Sequence, residues 1–135
     1  DSRIETFPAV EVSVLGKGSS GVRALLHIDS GATTSILPIG DAEALGINPR
    51  RGEKLLVRGI TGEALTGYRY TATLDFGAFK IKSPIVFVAD DTVPRILGRE
   101  GVFGRFGILF DESRKRTLFL SRASERKTID KLFLS

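Results

Sequence analysis

Val, Ile, Leu and Phe in this chain come in frequent short runs, many of them ended by glycine or a polar turn residue. Runs that short cannot build long amphipathic helices. Fifteen glycines spread through 135 residues supply the tight turns that short strands need, so the pattern predicts a mainly β chain. AVEVSVL (9–15) alternates apolar and polar with the period of a half-buried strand, and VRALLHI (22–28) follows across GKGSSG, which predicts a hairpin. KLLVRG, ITGEALTG and YRYTATLDFG predict a long hairpin whose tip holds Gly59, Gly62 and Gly67. PIVFVAD (84–90) has the continuous apolar character of a central strand, and GILFDESRKRTLFL reads as two strands joined by a polar turn. Two short helices are expected. One is DAEAL (41–45), bracketed by a residue of N-cap type and by Gly46, and the other is REGVFGRF (99–106).

The length predicts one domain over residues 1–135, with a core at about 9–121 and a C-terminal tail at 122–135. The tail sets Ile129, Leu132, Phe133 and Leu134 among charges, which suits packing on the core or on a partner. With no cysteine there is no disulfide framework or thiol nucleophile, and a single histidine, His27, argues against a catalytic zinc. No metal and no cofactor are expected. The net charge of +4 is concentrated in SRKR (113–116) and Arg50-Arg51, beside turn signals, so it reads as solvated loops and nucleic acid is not an expected partner. No run is apolar enough for a membrane segment. The absence of methionine, even at position 1, reads as a trimmed or processed chain. The lack of an export signal points to the cytoplasm, with a trimmed periplasmic or membrane-anchored form as the alternative.

One short stretch carries chemistry. In HIDSGATTSILP (27–38) an aspartate, Asp29, stands where an apolar run ends and is followed by Ser30, Gly31 and Ala32. Alone, Asp-Ser-Gly is a turn signal. Between two apolar strands, however, an unpaired carboxylate is costly unless another polar group answers it. The motif resembles the D-[ST]-G-A active-site loop of the retropepsin-like (retroviral-type) aspartic proteases, and Ile96-Leu97-Gly98-Arg99 resembles the hydrophobic-hydrophobic-Gly motif found later in that family. The two occur in family order with a glycine-rich hairpin between them. The chain is thus similar to a bacterial-type, retropepsin-like protein over about residues 10–120.

That resemblance implies a single-lobe, closed β-barrel of the acid-protease type with one or two short helices, forming a twofold dimer. The chain has only one D-[ST]-G, so Asp29 would meet its counterpart from a second copy, and the pair would activate water to hydrolyse extended polypeptide. Ser30, Gly31 and Ala32 would form the active-site loop, Ile96, Leu97, Gly98 and Arg99 would support it, and Arg99 would make an ion pair that braces the dimer or this loop. Gly59, Ile60, Thr61 and Gly62 would form the flap over the substrate. His27, one residue from Asp29 on the other side of a strand, reads as a packing residue. Tyr68 and Tyr70 share a strand face and would line the cleft or pack in the sheet. The competing reading is a non-catalytic peptide-binding or dimerisation module that keeps the fold.

Overall fold

The computed structural model describes residues 8–16, 18, 21–59, 62–121 and 123–133. Strand β1 (Ala9–Leu15) turns Val12 and Val14 inward and Glu11 to water. Strand β2 (Gly21–Ile28) buries Ala24, Leu26 and Ile28, and pairs with β1 in antiparallel register, Val12 opposite Ala24. The expected hairpin is present. Because Leu26 and Ile28 take the core positions, His27 is on the outer face and exposed, which corrects its reading as a packing residue.

A short strand, β3 (Ser35–Pro38), runs straight into helix α1 (Ile39–Ala44). The helix begins two residues before Asp41, the start that the sequence suggested. Pro38, extended at φ −64° and ψ 148°, is its N-cap and provides no side-chain cap. Asp41 sits in the first turn instead, and its carboxylate is taken by an arginine described below. Gly46, at φ 66°, ends the helix as expected for a C′ glycine.

Strands β4 (Glu53–Arg58) and β5 (Ala64–Asp75) form the long hairpin. Gly67 is not at its tip but inside β5, where a Cβ would come within 2.5 Å of Val86 Cγ1. The tip is correspondingly shorter, from 59 to 63. Strand β6 (Lys80–Val88) pairs antiparallel with β5 and parallel with β3, and Ile85 through Val88 are all buried, as the apolar run predicted for a central strand. The two-residue strand β7 (Ile96–Leu97) lies between β2 and β3.

The seven strands follow the order β1-β2-β7-β3-β6-β5-β4, and β1 also pairs with β5, Val14 opposite Leu74, so six of them close into a ring with β4 outside it. Inside the barrel are Val12, Val14, Leu26, Leu37, Leu74, Ile85, Phe87 and Leu97, with Leu45 of the α1 terminus against them. Tyr70 packs edge-on against Phe87, and its hydroxyl donates to the Asn48 carbonyl, so it serves the core rather than a cleft.

Residues 100–105 form consecutive turns instead of the second helix. Val102 and Phe103 amides both donate to the Arg99 carbonyl, but Gly101 at φ 76° stops the helix from propagating. Strands β8 (Gly107–Asp111) and β9 (Arg116–Leu120) pair as a separate two-stranded sheet. Phe119 seats this hairpin on the barrel through Phe76 and Phe106, at ring-centroid distances of 5.4 and 5.8 Å, and each such pair contributes about 0.5–1.5 kcal/mol beyond the area it buries. The tail is a helix, α2 (Ala123–Phe133). It docks through Ile129 against Gly107 and through Arg126, which donates to the Arg105 carbonyl, while Leu132 and Phe133 are exposed. No helix of the described residues is long and apolar enough to cross a membrane.

Candidate active site

Strand β2 ends at Ile28, whose side chain goes into the core, and the next residue leaves the ladder with one last bond. The Asp29 amide donates to the Leu97 carbonyl at 3.1 Å, continuing the parallel pairing of Ile28 with Leu97. The chain then turns. Gly31 N–H donates to Asp29 Oδ1 at 2.8 Å and Ala32 N–H to the Asp29 carbonyl at 3.2 Å. This is an Asx-type turn, so the bland reading of Asp-Ser-Gly describes the backbone correctly. The same bond orients one carboxylate oxygen while the residue remains exposed.

The second motif is stitched to the first. Arg99 and Glu100 amides donate to the carbonyls of Ala32 and Thr33 at 2.9 and 2.8 Å, and the Gly98 amide donates to the buried Ser35 hydroxyl at 3.0 Å. Gly98 is required by proximity, since a Cβ there would come within 2.5 Å of the Thr34 carbonyl carbon. Asp29 through Ala32 and Ile96 through Arg99 are therefore one unit. Ser30 is exposed in the turn, and Ala32 is half-buried beside it.

Gly59 and Gly62 occupy the tip of the β4–β5 hairpin. Gly62 N–H donates to the Gly59 carbonyl, Gly59 N–H donates to the Glu63 carbonyl, and Gly62 has a left-handed φ of 84°. Among the described residues these bonds are local to the tip and do not join it to the Asp29 loop. Ile60 and Thr61 lie outside the described residues. Arg99 is exposed and reaches the Thr33 hydroxyl at 3.4 Å; among the described residues it makes no ion pair within the protomer.

Two other arginines make ion pairs near the site, and the sequence reading missed both. Arg95, immediately before β7, forms a bidentate pair with Asp41, Nε to Oδ2 at 2.8 Å and Nη2 to Oδ1 at 2.9 Å. The hydrogen bond to Asp41 raises the pKa of the guanidinium above its ordinary value, against a smaller opposing effect of burial. Arg69 of β5 pairs with Glu100, whose other oxygen is 3.5 Å from the Thr34 hydroxyl. The signal was faint but present: Asp41 lies close in sequence to Ala42 and Leu45, which are buried, and a carboxylate drawn inside with them needs a partner. Among the described residues no three of His, Cys, Asp and Glu converge as metal ligands. Chemically, the site offers one exposed carboxylate per chain, with one oxygen oriented by the Gly31 amide.

The family model described as aspartyl protease matches residues 10–104, which spans β1 to the turns after β7 and includes both motifs. Among solved structures, the fold is similar to EIAV protease complexed with the inhibitor HBY-793, at 22% identity over 73% of this chain and 88% of that one, with a TM-score of 0.54. It is also similar to a retropepsin-like aspartic protease from Rickettsia conorii, at 20% identity over 83% and 89% of the two chains, with a TM-score of 0.60. A comparison with curated proteins returns no match. The sequence match covers the greater part of the chain and the barrel agrees with it: the protein belongs to the aspartyl protease family and has a retropepsin-like fold.

Proposed function

We propose that the protein is a homodimeric aspartic endopeptidase in which Asp29 of each protomer meets at a twofold axis and the pair hydrolyses peptide bonds of extended polypeptide. The observation that carries the reading is the single Asp29 carboxylate, exposed at the end of β2 and oriented by Gly31. One carboxylate is half of the required chemistry. No other aspartate among these 135 residues is followed by Ser/Thr-Gly, and in the proposed dimer a second copy supplies the partner.

Two carboxylates about 3 Å apart repel by roughly 5 kcal/mol at an effective dielectric near 20, which is about four pK units, so the pair keeps one proton between them. The ionised member takes a proton from a bound water, and the oxygen of that water attacks the scissile carbonyl carbon. The protonated member donates its proton to the carbonyl oxygen, giving a tetrahedral diol. Collapse of the diol breaks the C–N bond as a proton passes to the departing nitrogen. No covalent intermediate forms. In this arrangement Ser30 ties the two loops across the axis, Ala32 borders the substrate backbone, and the β4–β5 tip with Gly59, Ile60, Thr61 and Gly62 closes over it and excludes water. Residues 1–135 act as one lobe of the enzyme.

The decisive comparison is wild type against Asp29→Asn on a peptide library at several pH values. Loss of cleavage with retained fold is the expected result. Cleavage unchanged by that substitution would sink the catalytic assignment, and a folded, peptide-binding wild type that never cleaves would favour the non-catalytic module.

A further inference from the structure

Strand β7 is two residues long, yet it holds the Asp29 amide, so something outside its own ladder has to fix its register. A slip by one residue would turn Leu97, now fully buried, to the other face and present a different carbonyl to Asp29. The segment that precedes it is strapped to α1 by two contacts made in opposite directions. The Asp41 carboxylate of the helix accepts both bonds from the Arg95 guanidinium, and Asp91 Oδ1 of the segment accepts from the Gly40 amide of the helix at 2.9 Å. Arg95 also reaches the other way along the backbone, because its carbonyl accepts from the His27 amide at 3.0 Å. One residue therefore joins α1, β7 and the last turnless stretch of β2.

We infer that Asp41 and Arg95 are positioning residues: their bidentate pair locks β7 to α1 and so sets where the Asp29 carboxylate stands. Asp41 suits the part. Its side chain is 11% exposed and sits on a helix whose Ala42 and terminal Leu45 are buried in the core, whereas the Arg95 side chain is 41% exposed. The helix end is the fixed anchor and the arginine is the arm. The catalytic consequence rests on the peptidase reading above; the mechanical one does not. A displacement of about 1 Å at a reacting group costs on the order of a hundredfold in rate, so modest freedom in β7 is enough to be read in kcat.

The test uses the full chain with Asp41→Asn, Arg95→Gln and Arg95→Lys, and with Arg23→Gln as a control that breaks the exposed Arg23–Glu11 pair elsewhere on the barrel. Amide hydrogen exchange and peptide cleavage are measured on each variant. The expected result is faster exchange at His27 and Asp29 than at Ala72 and Leu74 across the barrel, with kcat down about tenfold or more and KM within about twofold. Arg95→Lys, which keeps the charge on a single nitrogen in place of the bidentate fork, should recover part of both effects, and Arg23→Gln should show neither. Exchange that is unchanged, or that accelerates equally on both sides of the barrel, overturns the inference. If wild type does not cleave but exchange at 27 and 29 still rises selectively, the peptidase reading fails and the clasp stands. If wild type cleaves and the variants match its kcat, the clasp has no catalytic role. If Asp41→Asn does not fold, the two Arg95 variants carry the same comparison.

Discussion

Gly98 and Thr34 are in backbone contact, so close that a single methyl group on Gly98 would lie 2.5 Å from the carbonyl carbon and 2.6 Å from the carbonyl oxygen of Thr34. The atoms it would strike are backbone on both sides of the crossing, and backbone cannot swing aside as a flexible side chain can. Gly98→Ala is therefore expected to cost about 1–3 kcal/mol or more by overpacking. Urea denaturation should show a lower midpoint with an unchanged slope, and cleavage should fall further than stability alone explains, because the contact displaced is the one behind the Asp29 loop.

Ser35 gives a second view of the same crossing. Its hydroxyl accepts the Gly98 amide in a buried place, so Ser35→Ala leaves that N–H without its partner and is expected to cost about 1–3 kcal/mol. Thermal unfolding checks this. A shift of less than a degree would mean that the Gly98 amide finds another acceptor.

Gly62 tests the flap. Its φ of 84° is a conformation that L residues avoid, and open space surrounds it, so the cost of Gly62→Ala is conformational and not steric. A strain of about 1–2 kcal/mol at the tip should lower kcat/KM by on the order of tenfold while leaving the core unfolding midpoint almost unchanged. Steady-state kinetics beside a melting curve separates the two.

A shared site obeys mass action. At protein concentrations below the dimer dissociation constant, cleavage per mole should fall in proportion to concentration. Mixing wild type with a ninefold excess of Asp29→Asn, at concentrations where both are paired, should lower activity per wild-type chain about tenfold, because random pairing leaves few homodimers with two aspartates. Activity that ignores both dilution and the mixed partner would place the whole site in one chain.

The turn of the β8–β9 hairpin should loosen in acid. Asp111 accepts from Arg116 and Ser113, and these bonds hold its carboxyl below the ordinary carboxylate value of 3.8. Its contribution is complete above that ordinary value and disappears as pH falls through the lowered one, when the protonated acid no longer attracts Arg116. Protection factors in residues 111–116, each rate taken relative to the intrinsic rate at its pH, should drop between about pH 5 and pH 2 by more than those in β6. Asp111→Asn should remove the difference.

Much of this molecule is legible in its local sequence pattern. Alternation in AVEVSVL and VRALLHI assigned faces that β1 and β2 keep, because a strand side chain has only two directions to choose from. The PIVFV of PIVFVAD was central because a run without polar residues can be covered on both sides. The ordered pair of motifs identified the loop, and the Asx turn around Asp29 leaves its carboxylate exposed, so the turn reading and the proposed chemical role are compatible.

Other readings failed where the deciding partner is distant. Gly67 looked like a tip residue, yet it is needed inside β5 because Val86 of the neighbouring strand presses against it. Asp41 looked like a helix cap, but a guanidinium from far along the chain offers its carboxylate two charge-assisted bonds where a cap offers weaker ones. Two ion pairs within the protomer escape any local reading, Arg95 with Asp41 and Arg69 with Glu100, and they stand beside the Arg99 pair expected for the loop or the dimer. The sequence by itself determined most of the strands and the turn chemistry of the single Asp-Ser-Gly motif, since these follow from local sterics and periodicity. The tertiary structure alone decided which arginine holds which carboxylate and which glycine admits a neighbouring backbone, because such contacts depend on the crossing of segments that no local pattern records.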